Sequence, residues 1–391
     1  MASLISHLDH SIIFVILAFS IGCKAYGSLV EKKSSPLSIF GDSTVDPGNN
    51  NHINTIPENR ANYKPYGQNG HFAEPTGRFS DGRVIVDFIA EYATLPSIPP
   101  FLQPSAEFFN GVNFASGGAG VLPKTNQGLI DLQTQVKSDA RAREIVSEAV
   151  YFISIGSNDY MGGYLGNPKM QENYNPEQYI GMVIGNLTQA IQVLYEKGAR
   201  KFGFLSLSPL GCLPAPRAHN PKANDGGCFE DACALAQAHN NALKAVLASF
   251  ENLLRGFKYC NSNFYDWLHD RIINPSKYGF KDGVNGCCGT GPYGGILTCG
   301  GTKDVPDYEL CDNVGDYVWW DSSHPTEKIH EESAKALWNG PSSDVGSYNL
   351  QELFLGKEAL TIANEVDDPI SSATYPCGGK VDPSLHSTPH G

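Results

Sequence analysis

Four short apolar runs recur along the chain, and each is closed by a turn that contains glycine. Leu37-Ser38-Ile39-Phe40 ends at Gly41, and Gly111-Val112-Asn113-Phe114-Ala115 runs into Ser116-Gly117. Val150-Tyr151-Phe152-Ile153-Ser154-Ile155 ends at Gly156, and residues 201–207 end at Ser208-Pro209-Leu210-Gly211. Their length and β-branched or aromatic content predict strands. Between them apolar residues fall at helical spacing over 83–92, 131–148, 176–197 and 232–254. Ser80-Asp81-Gly82 reads as the cap of the first helix, and Gly198 as the stop of the third. Strand–helix alternation predicts a parallel sheet covered on both faces. Residues 279–301 break the pattern. They are rich in Gly and Cys and read as a disulfide-tied loop. After Trp338 the periodicity fades, with one more helix expected within 349–363 and a Pro-, Gly-, Ser- and Asp-rich tail from Val366. No internal repeat is visible.

The same patterning divides the 391 residues into three parts. Residues 1–25 read as a signal peptide, because an apolar stretch over 11–19 precedes a small-residue cleavage point at Cys23-Lys24-Ala25. The stretch is shorter than a bilayer span, so an uncleaved anchor fits less well and no stable membrane insertion is expected. Residues 36–340 form the main domain, and 341–391 a C-terminal extension, partly disordered. With 41% apolar and 18% charged residues the chain can bury a large core. A formal net charge of −13 repels nucleic acid and anionic membranes.

Ten cysteines fit a secreted, extracellular protein. Removal of Cys23 with the signal leaves nine, eight of them between Cys212 and Cys311, where bridges would staple a loop-rich segment. The odd number implies a free thiol, with Cys377 the obvious candidate. No Cys-x-x-Cys pair is present and Cys287-Cys288 is vicinal, so no metal site is expected. Asn186-Leu187-Thr188 is an N-glycosylation sequon.

Chemistry concentrates at the strand ends. Ser43, behind Leu37–Phe40 on the Gly41-Asp42 turn, can project its hydroxyl from the carboxyl edge of the sheet, where ligands bind in open α/β folds. The tripeptide alone is a weak signal. A nucleophilic serine needs a base, a group orienting that base, and donors facing the developing oxyanion. Asp321-Ser322-Ser323-His324 supplies a histidine whose Nδ1–H a carboxylate three residues earlier can accept. Asn158, in Gly156-Ser157-Asn158-Asp159, offers a side-chain N–H, and the glycines after Asn113-Phe114-Ala115-Ser116 permit close backbone approach. Each also reads as an ordinary turn or packed histidine when taken alone.

Taken in chain order, Gly41-Asp42-Ser43, the glycine-rich segment from Asn113, Gly156-Ser157-Asn158-Asp159 and Asp321-Ser322-Ser323-His324 resemble the four blocks of the SGNH/GDSL esterase–lipase family. The longer strings Phe40 to Asn50, Pro75 to Arg83, Ser206 to Cys212 and Asp321 to Thr326 resemble its plant secreted branch, over about residues 38–339. Within that branch the chain is similar to the defence-related GDSL lipases and to an acyl-transferring, pyrethrin-forming relative. The resemblance implies a three-layer α/β/α flavodoxin-like fold with a central parallel sheet. It implies Ser43 as nucleophile, His324 as base and Asp321 as orienting acid. The oxyanion donors would be the backbone N–H of Ser43 and of Gly118, with Gly117 as fallback, and the Asn158 side chain. Thr44 stands where the family name has leucine, outside the catalytic set.

The expected function is a secreted serine esterase or lipase that hydrolyses a small-molecule ester or acyl lipid through an acyl-enzyme, without metal or organic cofactor. Transfer of the acyl group to an alcohol is the nearest alternative, and a catalytically dead lipid- or carbohydrate-binding protein the remote one. A histidine base also predicts loss of activity on acidification through roughly pH 6.5, where a free imidazole titrates.

Overall fold

Five parallel strands form the central sheet: β1 (Leu37–Gly41), β2 (Gly111–Asn113), β3 (Val150–Ser154), β4 (Lys201–Leu205) and β5 (Lys258–Ser262). Their spatial order is β2-β1-β3-β4-β5, the order of a flavodoxin-like sheet. The computed structural model describes residues 34–139, 148–220, 227–296, 299–300 and 308–357. The expected signal peptide and the expected tail from Val366, with Cys377, lie outside the described residues.

Every residue of β1 and β3 is buried, as expected of strands covered on two faces. Phe40, Phe114, Tyr151, Phe152, Phe202 and Phe204 fill the layers beside them. Helices Leu132–Asp139, Pro176–Glu196 and Glu230–Leu253 pack in one group, and Ile85–Tyr92, Glu327–Asn339 and Leu350–Leu355 in another. Together with the sheet they make the three layers.

The structure departs from the sequence reading in two places, at β5 and at Ser80-Asp81-Gly82. β5 was not expected from the pattern. Lys258 is exposed and Asn261 and Ser262 are only partly covered, so this edge strand lacks a continuous apolar signal. Ser80-Asp81-Gly82 does not cap Ile85–Tyr92. The Val84 N–H is accepted by Asp87 Oδ2 at 2.9 Å, while Asp81 Oδ1 accepts the Glu327 N–H at 2.7 Å and so caps a helix 246 positions away. The helix expected over 349–363 is seen as Leu350–Leu355, ending at Gly356 with φ of 84°. Its Leu350, Leu353 and Phe354 are buried in the main core, and Ser35 Oγ donates to the Phe354 carbonyl, so residues beyond 340 pack onto the sheet domain beside the segment leading into β1. The free thiols among the described residues are Cys233 and Cys260, both buried.

Three disulfides join Cys212 to Cys228, Cys287 to Cys311 and Cys288 to Cys299. The last two tie the glycine-rich loop, as its composition predicts. They belong to a second, smaller core with Ala61, Tyr66, Phe79 and Trp320, separate from the one around the sheet. The sulfurs of Cys212, Cys228 and Cys233 are close together, but two of them are bonded to each other and do not form a thiolate metal set.

Candidate active site

Ser43 stands immediately past the end of β1, and local packing fixes it there. A side chain on Gly41 would sit 2.3 Å from the Ser154 carbonyl oxygen, so only glycine fits. The buried Gln135 side chain accepts the Gly41 N–H and donates to its carbonyl, both at 2.9 Å. Asp42 N–H donates to the Ser154 carbonyl, and Asp42 Oδ1 accepts from Thr44 N–H. The turn is thus tied to β3 and to itself on either side of the serine.

His324 reaches Ser43 from 281 residues away, with Nε2 2.8 Å from Oγ. Its Nδ1 lies 2.9 Å from both carboxylate oxygens of Asp321. Asp321 Oδ1 also accepts the N–H groups of Ser323 and His324, each at 2.8 Å, so the carboxylate nucleates the turn that carries its own histidine. Burial on its own would raise the Asp321 pKa. The adjacent His324 and these hydrogen bonds outweigh it and hold the carboxyl below its ordinary value. Phe79 packs beside the imidazole, ring centroids 4.8 Å apart.

The expected oxyanion donors border the same cavity. Gly118, Asn158, Ser43 and His324 all line a space of about 210 Å³. Asn158 Nδ2 donates one hydrogen to the Ala119 carbonyl at 3.0 Å, which orients the amide and leaves its second hydrogen for another acceptor. Gly118 has φ of 80°, a left-handed conformation that glycine adopts without strain. Gly117 does not serve as the fallback: its N–H is donated to Asp46 Oδ2 at 2.8 Å. The cavity is also lined by Met161, Leu210, Leu213, Phe264 and Leu268, and by Glu58 and Asn59.

Several residues that hold this geometry carried no assigned role in the sequence. Asp46 accepts N–H bonds from Gly48 and Asn49 as well as Gly117. Burial pushes its carboxyl up to about 6, against the pull of those bonds. Asn49 Nδ2 donates to the Asn113 and Ala115 carbonyls, and Asn50 Nδ2 to the Asn59 and Gly117 carbonyls. The segment after the serine therefore clamps the loop after β2, which explains why the recognisable string extends to Asn50. Asp159 accepts from the N–H groups of Val121 and Leu122 and from the Thr125 hydroxyl, joining that loop to the Asn158 turn. Its carboxyl is pushed up to about 6 by burial. Arg78, buried, pairs with Asp87 at 2.7 Å and donates to the Pro47 carbonyl. Tyr66, which no motif includes, donates its hydroxyl to Asp321 Oδ2 at 2.7 Å.

Asn186, the sequon residue, lies within helix Pro176–Glu196 rather than on a loop, with Nδ2 bonded to the Met182 carbonyl. Among the described residues no helix is long and apolar enough to cross a membrane.

A family described as GDSL-like lipase/acylhydrolase matches residues 37–337. The chain is 47% identical to GDSL esterase/lipase 5 of Arabidopsis thaliana over 340 residues, 81% of this chain and 87% of that one. It is 44% identical to a GDSL lipase of Tanacetum cinerariifolium over 345 residues, 85% and 91% of the two chains. GDSL esterase/lipase 1 of Arabidopsis thaliana is 43% identical over 368 residues, 90% of this chain and 97% of the relative.

Proposed function

The chain belongs to the GDSL-like lipase/acylhydrolase family and is a carboxylic ester hydrolase, and we propose that it cleaves its ester through Ser43, His324 and Asp321 with a covalent acyl-enzyme. The observation that carries this reading is the 2.8 Å contact between Ser43 Oγ and His324 Nε2, backed by the carboxylate on Nδ1.

Ser43 Oγ attacks the carbonyl carbon while His324 Nε2 takes its proton. The negative oxygen of the tetrahedral intermediate is held by the Ser43 and Gly118 backbone N–H groups and by Asn158 Nδ2. Collapse expels the alcohol, which receives the proton from His324. Water then repeats the sequence on the acyl-enzyme, His324 acting again as base, and frees the acid and Ser43. Asp321 holds the imidazole in one tautomer and stabilises the imidazolium. The apolar lining of Met161, Leu210, Leu213, Phe264 and Leu268 fits an apolar portion of the ester.

The enzyme acts outside the cell. Three disulfides are compatible with an oxidising compartment, and the apolar N-terminal stretch supplies the export signal. Asn186 is the glycan acceptor in that setting. The test of the mechanism is Ser43→Ala assayed against a series of p-nitrophenyl acyl esters. The variant should lose at least ~10⁴-fold in kcat/KM while keeping its melting temperature. Retained hydrolysis in a purified, folded sample would remove Ser43 from the mechanism.

A further inference from the structure

The hydrogen-bond chain through the active site does not end at Asp321. Ser43 Oγ, His324, Asp321 and the Tyr66 hydroxyl form one line, with successive contacts of 2.8, 2.9 and 2.7 Å. Asp321 Oδ1 is engaged by two backbone N–H groups of its own turn. Oδ2 has the imidazole on one side and the Tyr66 hydroxyl on the other. We propose that Tyr66 is a positioning residue for the triad: its hydroxyl fixes the plane of the Asp321 carboxylate and shares its charge, setting how strongly the carboxylate supports the protonated His324.

The environment of Tyr66 suits that role. The residue is 5% exposed. Its ring meets those of Tyr63, Phe79 and Trp320 edge-on, at centroid separations of 5.4, 6.1 and 6.0 Å. Phe79 in turn packs on His324, and Trp320 precedes Asp321 in the chain. The phenol cannot swing away without repacking this small core. Burial, and then the charge of Asp321, hold its pKa well above the ordinary value, so it stays a neutral donor throughout the working range. The opposite effect follows at the carboxylate, where the bond from Tyr66 favours the charged form.

Removing the hydroxyl has a defined consequence. A carboxylate that no longer shares its charge with a phenol stabilises the imidazolium more strongly, so the base loses its function at higher pH. Among the described residues, few charged and titratable groups face this pair. Tyr63 and Tyr66 face Asp321, and Asp42 and His330 sense His324. Only Tyr66 among them donates a side-chain hydrogen bond to the carboxylate from outside its turn.

This inference rests on Ser43, His324 and Asp321 being the reacting triad, and the experiment separates the two. Tyr66→Phe should lower kcat roughly tenfold with little change in KM. It should also move the acidic limb of the kcat/KM profile to higher pH by several tenths of a unit. Tyr63→Phe, which leaves the Asp321 contact intact, should leave the limb in place. Replacing Tyr66 by 3-fluorotyrosine, a stronger donor of nearly the same shape, should move the limb the other way, and this arm serves if Tyr66→Phe fails to fold. Labelling of Ser43 by a fluorophosphonate reports on the triad independently. A Ser43 that still labels, together with unchanged kcat and an unmoved limb in the Tyr66 variants, overturns the role given to Tyr66. Absence of labelling at Ser43 in active wild-type protein overturns the triad reading instead.

Discussion

The two halves of the candidate active site are held in place by different physics. Ser43 and the loop after β2 stand at the ends of strands of the main sheet. There, backbone ties to β3 and a mesh of buried Asp, Asn and Gln side chains engage the Gly41 and Gly117 N–H groups and the Asn113 and Gly117 carbonyls. The histidine side sits outside the sheet. Residues 319–325 are braced from behind by the disulfide-tied loop, whose Cys287 and Cys288 N–H groups donate to the Trp319 and Trp320 carbonyls at 3.0 and 2.7 Å. Two disulfides and an aromatic cluster do for this side what strands and buried amides do for the other. A short strand pair outside the main sheet, Asp282–Gly286 beside Tyr317–Trp319, thus carries the histidine turn, with two disulfides securing the loop that follows Gly286. The difference means that the two sides should fail under different insults.

The largest difference should appear on the sheet side. Asn158→Ala removes a donor from the oxyanion position and should lower kcat by on the order of 10²–10³, with KM little changed. The acyl-ester series above measures it, and a loss confined to KM would place Asn158 in substrate binding instead.

A smaller effect should mark the histidine side. Opening the Cys287–Cys311 bridge by paired substitution to serine should cost about 2–4 kcal/mol. Activity should drop on the order of tenfold, because a small displacement of the base is enough to misalign it. The far-UV signal of the sheet should persist under conditions where activity is already falling. Loss of both signals together would mean that the two sides are not held separately.

The smallest effect concerns a buried histidine beneath the Asn158 turn. His239 Nδ1 lies 2.8 Å from the Tyr160 hydroxyl, and desolvation pushes its pKa from 6.5 to about 3. Below pH 6.5 the unfolded chain takes up a proton that the folded protein refuses until about pH 3. The residue therefore costs stability progressively as pH falls through that window. Asp42, Asp46, Asp81 and Asp159, pushed up to about 6 by burial, act with the opposite sign, so the difference between variants is the useful quantity. Denaturation midpoints of wild type and His239→Gln should converge with falling pH, the variant gaining about 2–3 kcal/mol relative to wild type between pH 7 and 4.5. A pH-independent difference would mean that His239 is not held neutral.

How much was legible in the sequence follows the same division. β1, β3 and β4 are apolar runs ending in turn residues, and the residues that meet at Ser43 all lie just past strand ends or in one compact turn. Those signals are local. β5 escaped because an edge strand with exposed Lys258 and polar Asn261 and Ser262 lacks the apolar run of a central strand. Asp81 was misassigned because its helix lies 246 positions away rather than next to it. Tyr66 gave no signal, since its partner is 255 positions away and nothing around it marks the contact. The mesh of Asp46, Asn49 and Asn50 was visible as a string but not as a clamp, because its acceptors lie on another loop. Local chemistry reads from sequence, whereas partners chosen by the tertiary fold do not.

The central claim is that Ser43 is the nucleophile, activated by His324. Covalent labelling with a fluorophosphonate, followed by peptide mapping, tests it most directly. One adduct per chain is expected, on Ser43, absent from Ser43→Ala and strongly slowed in His324→Ala. An adduct on another serine, or undiminished labelling of the Ser43→Ala protein, would contradict it.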